Sequence, residues 1–156
     1  MRWLILLFWG VTSWAQSPQY IDIHCHVGCI GAGDSGCYVS DEFAKSFKFK
    51  MFQKAMGLKI SDLEKNGDAW AVQKLSQDIK NSKYVKKLVL LALDGVIKDG
   101  VLDKTQTQLY IPNEFLAKEV KKYDNLLWGA SINPYRPDAL ERLQWAVEHG
   151  AVLGRL

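Results

Sequence analysis

The stretch YIDIHCHV, residues 20–27, is the first regular element of the chain and decides how the rest is interpreted. Its β-branched and apolar residues predict a strand, and a glycine-rich segment follows it directly. The run KKLVLLALDG, residues 86–95, is continuously apolar, which is typical of a strand buried on both faces. NLLWGASINP (125–134) and AVLGRL (151–156) predict a third and a fourth strand.

Helical segments separate these strands. Residues 40–57 predict one helix, with Ser40 as its N-cap and Gly57 as its stop. A capping box of Ser61 and Glu64 opens a second helix. Further helices are expected over residues 68–82, over 113–123 with Asn113 as N-cap, and over 137–150 with Leu140, Leu143 and Val147 on one face.

The alternation of apolar strands with helices predicts an α/β fold with a parallel sheet and helical crossovers. Between the second and third strands, Asp99–Gly100 lies between short apolar arms and predicts a type I′ hairpin. Four strand–helix units amount to the N-terminal half of a (β/α)8 TIM barrel, which takes about 250 residues. Because a buried strand at the end of the chain would have an unpaired edge, we expect the sequence to be a fragment of a longer barrel.

The first fifteen residues, MRWLILLFWGVTSWA, differ in character from the rest. Arg2 precedes an apolar run over residues 3–11, and Ser13-x-Ala15 places small residues where a signal peptidase cleaves. The run is too short to cross about 30 Å of hydrocarbon as a helix. We therefore expect a signal peptide cleaved near Ala15, a secreted or periplasmic protein, and no stable membrane anchor after cleavage. An uncleaved N-terminal anchor is the alternative.

The composition is that of an ordinary globular protein, with 48% apolar and 24% charged residues among 156. Twenty basic residues against seventeen acidic ones give a net charge of +3. That balance does not favour nucleic acid or an anionic membrane as a partner. We expect a small-molecule substrate, with a homo-oligomer as an open alternative.

The first strand carries the clearest candidate site. Because side chains alternate along a strand, Asp22, His24 and His26 are expected on one face. Two imidazoles about 6.6 Å apart can converge on one metal ion, and Asp22 is better placed to support a ligand than to be one. Two half-buried histidines without a metal are the alternative. The other face is apolar and suits packing against helices: Ile21, Ile23 and Cys25.

Two histidines do not complete a catalytic zinc site, which takes at least three protein ligands and an open position. His149, the third histidine of the sequence, ends a helix before Gly150 and is expected at the bottom of the barrel, away from the pair. The missing ligands are therefore expected beyond Leu156 or among the carboxylates of this chain.

The segment GAGDSG, residues 31–36, matches the dinucleotide-binding pattern G-x-G-x-x-G. That pattern needs a second strand about 20 residues later, and the residues that follow here are helical. We instead expect a mobile loop over the mouth of an active site.

The three cysteines allow several arrangements. In an exported chain, Cys29 and Cys37 can close a disulfide across the glycine loop, with Cys25 as a core residue. A zinc site of Cys25 and Cys29 with His24 and His26 is disfavoured, because alternation directs Cys25 away from the histidines. A nucleophilic Cys–His pair is a further alternative, although the sequence indicates no third group to orient it.

Several segments of the sequence resemble a known family. The segment IDIHCHVG resembles the opening D-x-H-x-H motif of the amidohydrolase superfamily. ALDGV, YIPNEF and SINPYRPDALERL are similar to its amidohydrolase-related branch, which also includes metal-dependent decarboxylases. The resemblance implies a (β/α)8 barrel domain over residues 16–156 and beyond, with one or two divalent metals, often zinc, bound by His24 and His26.

The resemblance also indicates where this chain departs from the family. Later strands would supply further histidines and a catalytic aspartate, which are not found here. Many members use Lys or Glu at the end of the fourth strand, where this chain reads Gly154-Arg155-Leu156.

We therefore expect an exported metal-dependent hydrolase, in which metal-activated water attacks an amide, ester or lactone-like carbonyl. Asp94 and Asn133, near the ends of the second and third strands, are candidate pocket residues, with loop capping as the alternative. The competing functions are a decarboxylase of the same superfamily, a TatD-like nuclease and a non-catalytic barrel fragment. The balanced charge and the long first crossover argue against the nuclease.

Overall fold

The computed structural model describes residues 19–155, so the expected signal peptide over residues 1–15 lies outside the described residues. Eight strands and six helices occur within them. The strands are β1 (Tyr20–Cys25), β2 (Tyr38–Val39), β3 (Val85–Leu91), β4 (Ile97–Lys98), β5 (Val101–Leu102), β6 (Leu109–Tyr110), β7 (Leu126–Ser131) and β8 (Leu153–Arg155). The helices are α1 (Asp41–Lys45), α2 (Phe47–Ala55), α3 (Ile60–Asn66), α4 (Asp68–Asn81), α5 (Asn113–Val120) and α6 (Ala139–Glu148).

The four longer strands form one curled sheet in the order β1-β3-β7-β8, and every neighbouring pair is parallel. Helices α1 to α4 connect β1 to β3, α5 connects β3 to β7, and α6 connects β7 to β8. The predicted α/β fold with a parallel sheet and helical crossovers is therefore confirmed. Two small antiparallel ladders, β2–β6 and β4–β5, lie in the loops that follow β1 and β3.

The core lies between the sheet and its helices. Leu88 and Leu90 of β3 and Trp128 of β7 are at most 2% exposed, and they belong to the same cluster as Leu116 of α5. Residues 88–91 are all buried, which confirms the prediction of a strand buried on both faces. None of the described helices combines the length and the apolarity needed to cross a membrane.

The two outer strands are much more exposed. Ile21 and Ile23 of β1 are 54% and 61% exposed, so within residues 19–155 they are not packed against helices, whereas Cys25 packs against the core. Helix α6 also differs from the expectation, because Leu140 and Val147 on its predicted apolar face are 81% and 66% exposed. Strand β1 and helix α6 therefore present apolar side chains that the described residues do not cover.

Several turn and cap predictions can be compared directly. Asp99 and Gly100 both have positive φ values, 51° and 80°, as a type I′ hairpin requires. Helix α3 begins at Ile60, so the predicted Ser61 box is not formed. Asn113 is inside its helix rather than at the N-cap, because its amide instead exchanges two hydrogen bonds with the Ser131 backbone, at 2.9 and 3.0 Å.

Candidate functional site

The histidine pair lies at the C-terminal end of β1, the edge of the sheet where the crossover loops begin. His24 is exposed, and His26 is half-buried just past the last residue of the strand. The centroids of the two rings are 5.4 Å apart and their planes are nearly perpendicular, at 84°. Two imidazoles at this separation can direct one nitrogen each toward a common ligand.

One hydrogen bond fixes the tautomer of His26. Its Nδ1 lies 3.0 Å from the backbone oxygen of Leu91, the last residue of β3. Because a carbonyl only accepts, Nδ1 carries the hydrogen and donates it, which leaves the lone pair on Nε2. A histidine held in this way through its second nitrogen is the usual arrangement of a metal ligand.

The surroundings of His26 also favour the neutral form of its ring. Partial burial lowers the pKa of His26, and the charges of His24 and Arg155 lower it further, while the bond to Leu91 opposes the shift. Arg155 belongs to β8, at the opposite edge of the sheet, so its influence reflects the curl of the four strands. A neutral ring is the form that binds a metal.

The pairing of β1 with β3 is irregular over the interval where strict alternation was expected. Asp22 pairs with Leu88 and Cys25 with Leu90, so β1 has one more residue than β3 across this interval. Such a bulge re-aims side chains, so strict alternation does not hold between Asp22 and Cys25. The Asp22 carboxylate accepts from the backbone N–H of His24 at 3.0 Å. Asp22 therefore positions the backbone of one histidine.

Asp94, which follows β3, is an anion whose acceptor positions are in use. Arg136 donates to it through Nε at 2.6 Å and Nη2 at 2.7 Å, and the amides of Gly95 and Asn133 donate at 2.9 and 2.8 Å. The two side chains of the ion pair are 8% and 7% exposed. Burial raises the pKa of Asp94, but Arg136 and the two amides outweigh it and hold that pKa below the ordinary 3.8. A carboxylate with about four lone-pair sites has none left for a metal.

The side chain of Asn133 also has hydrogen-bond partners within the loops. Its side-chain N–H donates to the Gly95 oxygen at 3.0 Å, and its Oδ1 accepts from the Tyr135 amide at 3.0 Å. Asp94 and Asn133 do line two adjoining cavities at this end of the sheet, of about 230 and 650 Å³, the smaller of which Arg155 also lines. These hydrogen bonds favour loop capping as the main role of Asp94 and Asn133. The loops that the two residues hold in turn form the cavities.

A second polar cluster, centred on Asp68, holds the glycine loop. Asp68 is fully buried and accepts from the amides of Ile30 and Gly31 at 3.0 and 2.8 Å and from the Ser35 hydroxyl at 2.5 Å. The Asp68 amide in turn donates to the Ala32 oxygen at 3.0 Å. The loop is therefore tied to the start of α4, and its expected motion over the mouth of an active site stays a prediction.

The cysteines complete this cluster. Cys29 and Cys37 form a disulfide, the pairing suggested by the sequence. Their sulfurs and an Asp68 oxygen lie within 4.8 Å of one another, but disulfide sulfurs are not the thiolates that bind metals. The zinc alternative with Cys25 and Cys29 is ruled out in this state for the same reason. Burial, with the Asp22 charge, raises the pKa of Cys25 to about 11, so this thiol is not an activated nucleophile.

His149 makes its contacts at the C-terminal end of α6. It is the C-cap of α6, where its Nδ1 lies 2.8 Å from the Trp145 oxygen and its ring stacks on the Trp145 ring at 4.1 Å. Its own backbone oxygen accepts from the indole N–H of Trp128 at 3.3 Å. These contacts explain the position of the His149 ring without a bound metal.

The sequence reasoning missed Asp68 and Arg136. Asp68 has the sequence signature of a helix start. A single sequence does not distinguish an aspartate at a helix start from one that is a buried hydrogen-bond acceptor. Arg136 lies 42 residues from its partner Asp94, so only the fold shows the pairing. Neither known family models, nor curated protein sequences, nor solved structures give a match to this chain.

Proposed function

We propose that residues 16–156 are the N-terminal half of a (β/α)8 barrel of an exported metal-dependent hydrolase of the amidohydrolase type. In this proposal His24 and His26 hold a divalent metal, zinc being the expected ion. The substrate is a small molecule with an amide, ester or lactone-like carbonyl.

The observation that carries the proposal is the pair of imidazoles at the C-terminal end of β1. The pKa of His26 is lowered and its Nδ1 is bonded to Leu91, and the exposed ring of His24 lies 5.4 Å away. Both features suit metal ligands. The one group of three candidate ligands within residues 19–155 lies elsewhere, at the disulfide. The remaining ligands are therefore expected from later strands of the barrel.

A divalent metal at this place would supply a Lewis acid for the carbonyl and an activated water. The residues of the chain have supporting tasks. The Leu91 oxygen holds the His26 ring by its Nδ1 hydrogen, and the Asp22 carboxylate holds the His24 amide. The Asp94–Arg136 pair fixes the loops that line the cavities beside them.

Two further features agree with export. Disulfides persist in oxidising compartments, and Cys29–Cys37 is one. The N-terminal pattern of residues 1–15 is that of a signal peptide, which sequencing of the mature N-terminus would test.

The proposal is tested by metal binding to the full chain. We expect one Co²⁺ or Zn²⁺ per chain, with d–d absorption of Co²⁺ that reports nitrogen ligands and elemental analysis that gives the stoichiometry. His24→Ala or His26→Ala should weaken binding at least tenfold, because each removes one of two ligands.

His149→Ala is the matched control, since it removes the third histidine of the sequence without touching the pair. Equal affinity in wild type and both pair variants would overturn the proposal. Turnover assays on carbonyl, carboxylate and phosphodiester substrates then separate a hydrolase from a decarboxylase and from a TatD-like nuclease. Metal binding without turnover would indicate the non-catalytic fragment.

A further inference from the structure

Helix α2 presents an outward stripe in which apolar side chains alternate with lysines. Phe47 is 75% exposed and Met51 is 56% exposed. Together with Lys50, Lys54 and Ala55 they line an open groove of about 600 Å³ along the helix. The spacing of these residues, i, i+3, i+4, i+7 and i+8, places them on one face of the helix. We call these five residues the α2 stripe.

The opposite face of α2 is anchored in the protein. Phe49 is 8% exposed and its ring packs edge-on against Phe43 of α1 at 5.5 Å. Ser46 caps the helix by accepting from the Phe49 amide at 3.1 Å. The exposed side chains are therefore held outward by a packed helix.

The charge around the α2 stripe has a single sign. Residues 43–61 contain no Asp or Glu, and all five of their lysines are exposed. None of the five forms an ion pair within the described part of the chain. The five are Lys45, Lys48, Lys50, Lys54 and Lys59. The small net charge of the whole chain, +3, does not reveal this local excess of positive charge.

From this combination we propose that the α2 stripe docks reversibly on the surface of an anionic lipid membrane. Apolar side chains that enter the headgroup boundary, flanked by lysines that contact anionic headgroups, are the chemistry of an interfacial helix. A second copy of the chain is a poor occupant, because an isologous contact would bring two sets of five lysines together. The proposal goes beyond the metal chemistry and does not depend on it.

The position of α2 gives the docking a direction. Met56 and Leu58, just past the helix, pack so closely on Gly28 that an added Cβ would lie 2.6 Å from Leu58 Cδ1. Gly28 is two residues beyond His26, so the segment that follows α2 lies against the loop that follows the histidines. Docking through α2 is therefore expected to bring that loop near the membrane surface.

The test is co-sedimentation of the full chain with lipid vesicles. We expect binding to vesicles of phosphatidylglycerol mixed with phosphatidylcholine, little binding to phosphatidylcholine alone, and loss of binding as salt rises. Lys50→Gln with Lys54→Gln should weaken binding about 20-fold at low salt, since each lysine near an anionic surface contributes about fivefold. Lys118→Gln with Lys121→Gln removes the same charge from α5 and its C-cap and should change binding less than about twofold.

The apolar contribution needs its own variant. Phe47→Gln with Met51→Gln should weaken binding at least tenfold, whereas Leu140→Gln, which removes an exposed apolar residue from α6, should not. All variants keep residues 1–18, so that apolar segment contributes equally to every measurement. Unchanged near-ultraviolet circular dichroism would show that the variants are folded.

Several results would overturn the proposal. These are equal binding of wild type and both double variants, equal binding to neutral vesicles, or full competition by millimolar glycerol phosphate. Self-association abolished by the α2 variants, without vesicle binding, would assign the α2 stripe to a contact between copies. Binding to an acidic amphipathic peptide but not to vesicles would assign it to a protein partner.

Discussion

The segment from β1 to α4 contains two polar clusters of opposite character. At Asp68, a fully buried carboxylate accepts three hydrogen bonds from the loop that precedes it. At His24 and His26, the rings are exposed and half-buried, and within residues 19–155 one ring nitrogen of the pair, Nδ1 of His26, has a hydrogen-bond partner. The comparison separates polar groups that hold the fold from polar groups that remain available to a ligand.

Asp94 belongs with Asp68 in this comparison. Its carboxylate accepts from Arg136 twice and from two backbone amides. Both acids therefore fix loops at the C-terminal edge of the sheet, and neither is free to bind a metal or move a proton. The candidate chemistry of this chain rests on the histidines, whose positions the fixed loops support.

The largest expected effect comes from breaking the Asp68 cluster. Asp68→Ala would leave the buried Ser35 hydroxyl and the partly buried amides of Ile30 and Gly31 without their acceptor. Each unsatisfied group costs about 1–3 kcal/mol, so we expect a loss of about 3–5 kcal/mol in the free energy of unfolding. Urea denaturation measures it.

Glu64→Ala is the matched control, because it removes an exposed acid from the neighbouring α3 and should change stability by less than about 0.5 kcal/mol. Metal affinity at the histidine pair should change little in either folded variant. If Asp68→Ala is as stable as Glu64→Ala, the cluster is not what holds the loop.

The Asp94–Arg136 pair makes a smaller prediction that depends on pH. The native pKa of Asp94 lies below the ordinary 3.8, so the unfolded chain binds its proton first as pH falls. The stabilisation is present above about pH 4 and is lost as pH drops through the lower native value. At pH 7, Asp94→Asn should cost about 3 kcal/mol, because it leaves Arg136 buried without its counter-charge.

The check is a pair of urea titrations of wild type and Asp94→Asn over a range of pH. The difference in stability between the two proteins should be largest near neutrality and should vanish at low pH, where wild-type Asp94 is itself protonated. A difference that stays constant with pH would mean that the charge of Asp94 does not contribute.

The sequence was sufficient for the parts of the fold that depend on local pattern. The continuous apolar runs predicted β3 and β7, and the Asp99–Gly100 dipeptide predicted its hairpin, because these signals depend on a few adjacent residues. Position along the chain also placed the histidines at the end of β1.

The sequence was insufficient where distant segments decide the outcome. The sequence pattern predicted strict alternation along β1, but the structure has a register shift between Asp22 and Cys25, which depends on pairing with β3. Asn113 has the signature of an N-cap, yet it bonds the backbone of Ser131 in β7, 18 residues away. The short polar side chain of Asn113 had a local and a distant partner available, and the folded chain uses the distant one.

The smallest expected effect on stability, and the sharpest contrast with Asp68, comes from His24. Its ring is exposed and has no hydrogen bond within the described residues, so His24→Ala should change the free energy of unfolding by less than about 0.5 kcal/mol. His26→Ala should cost about 1 kcal/mol, because it removes the bond to Leu91. Metal-free protein in urea gives both values, and Co²⁺ titration of the same samples gives affinity. A residue whose removal hardly changes stability but greatly weakens metal binding is a ligand. A large loss of stability in metal-free His24→Ala would instead make His24 a structural residue and remove the contrast between the two clusters.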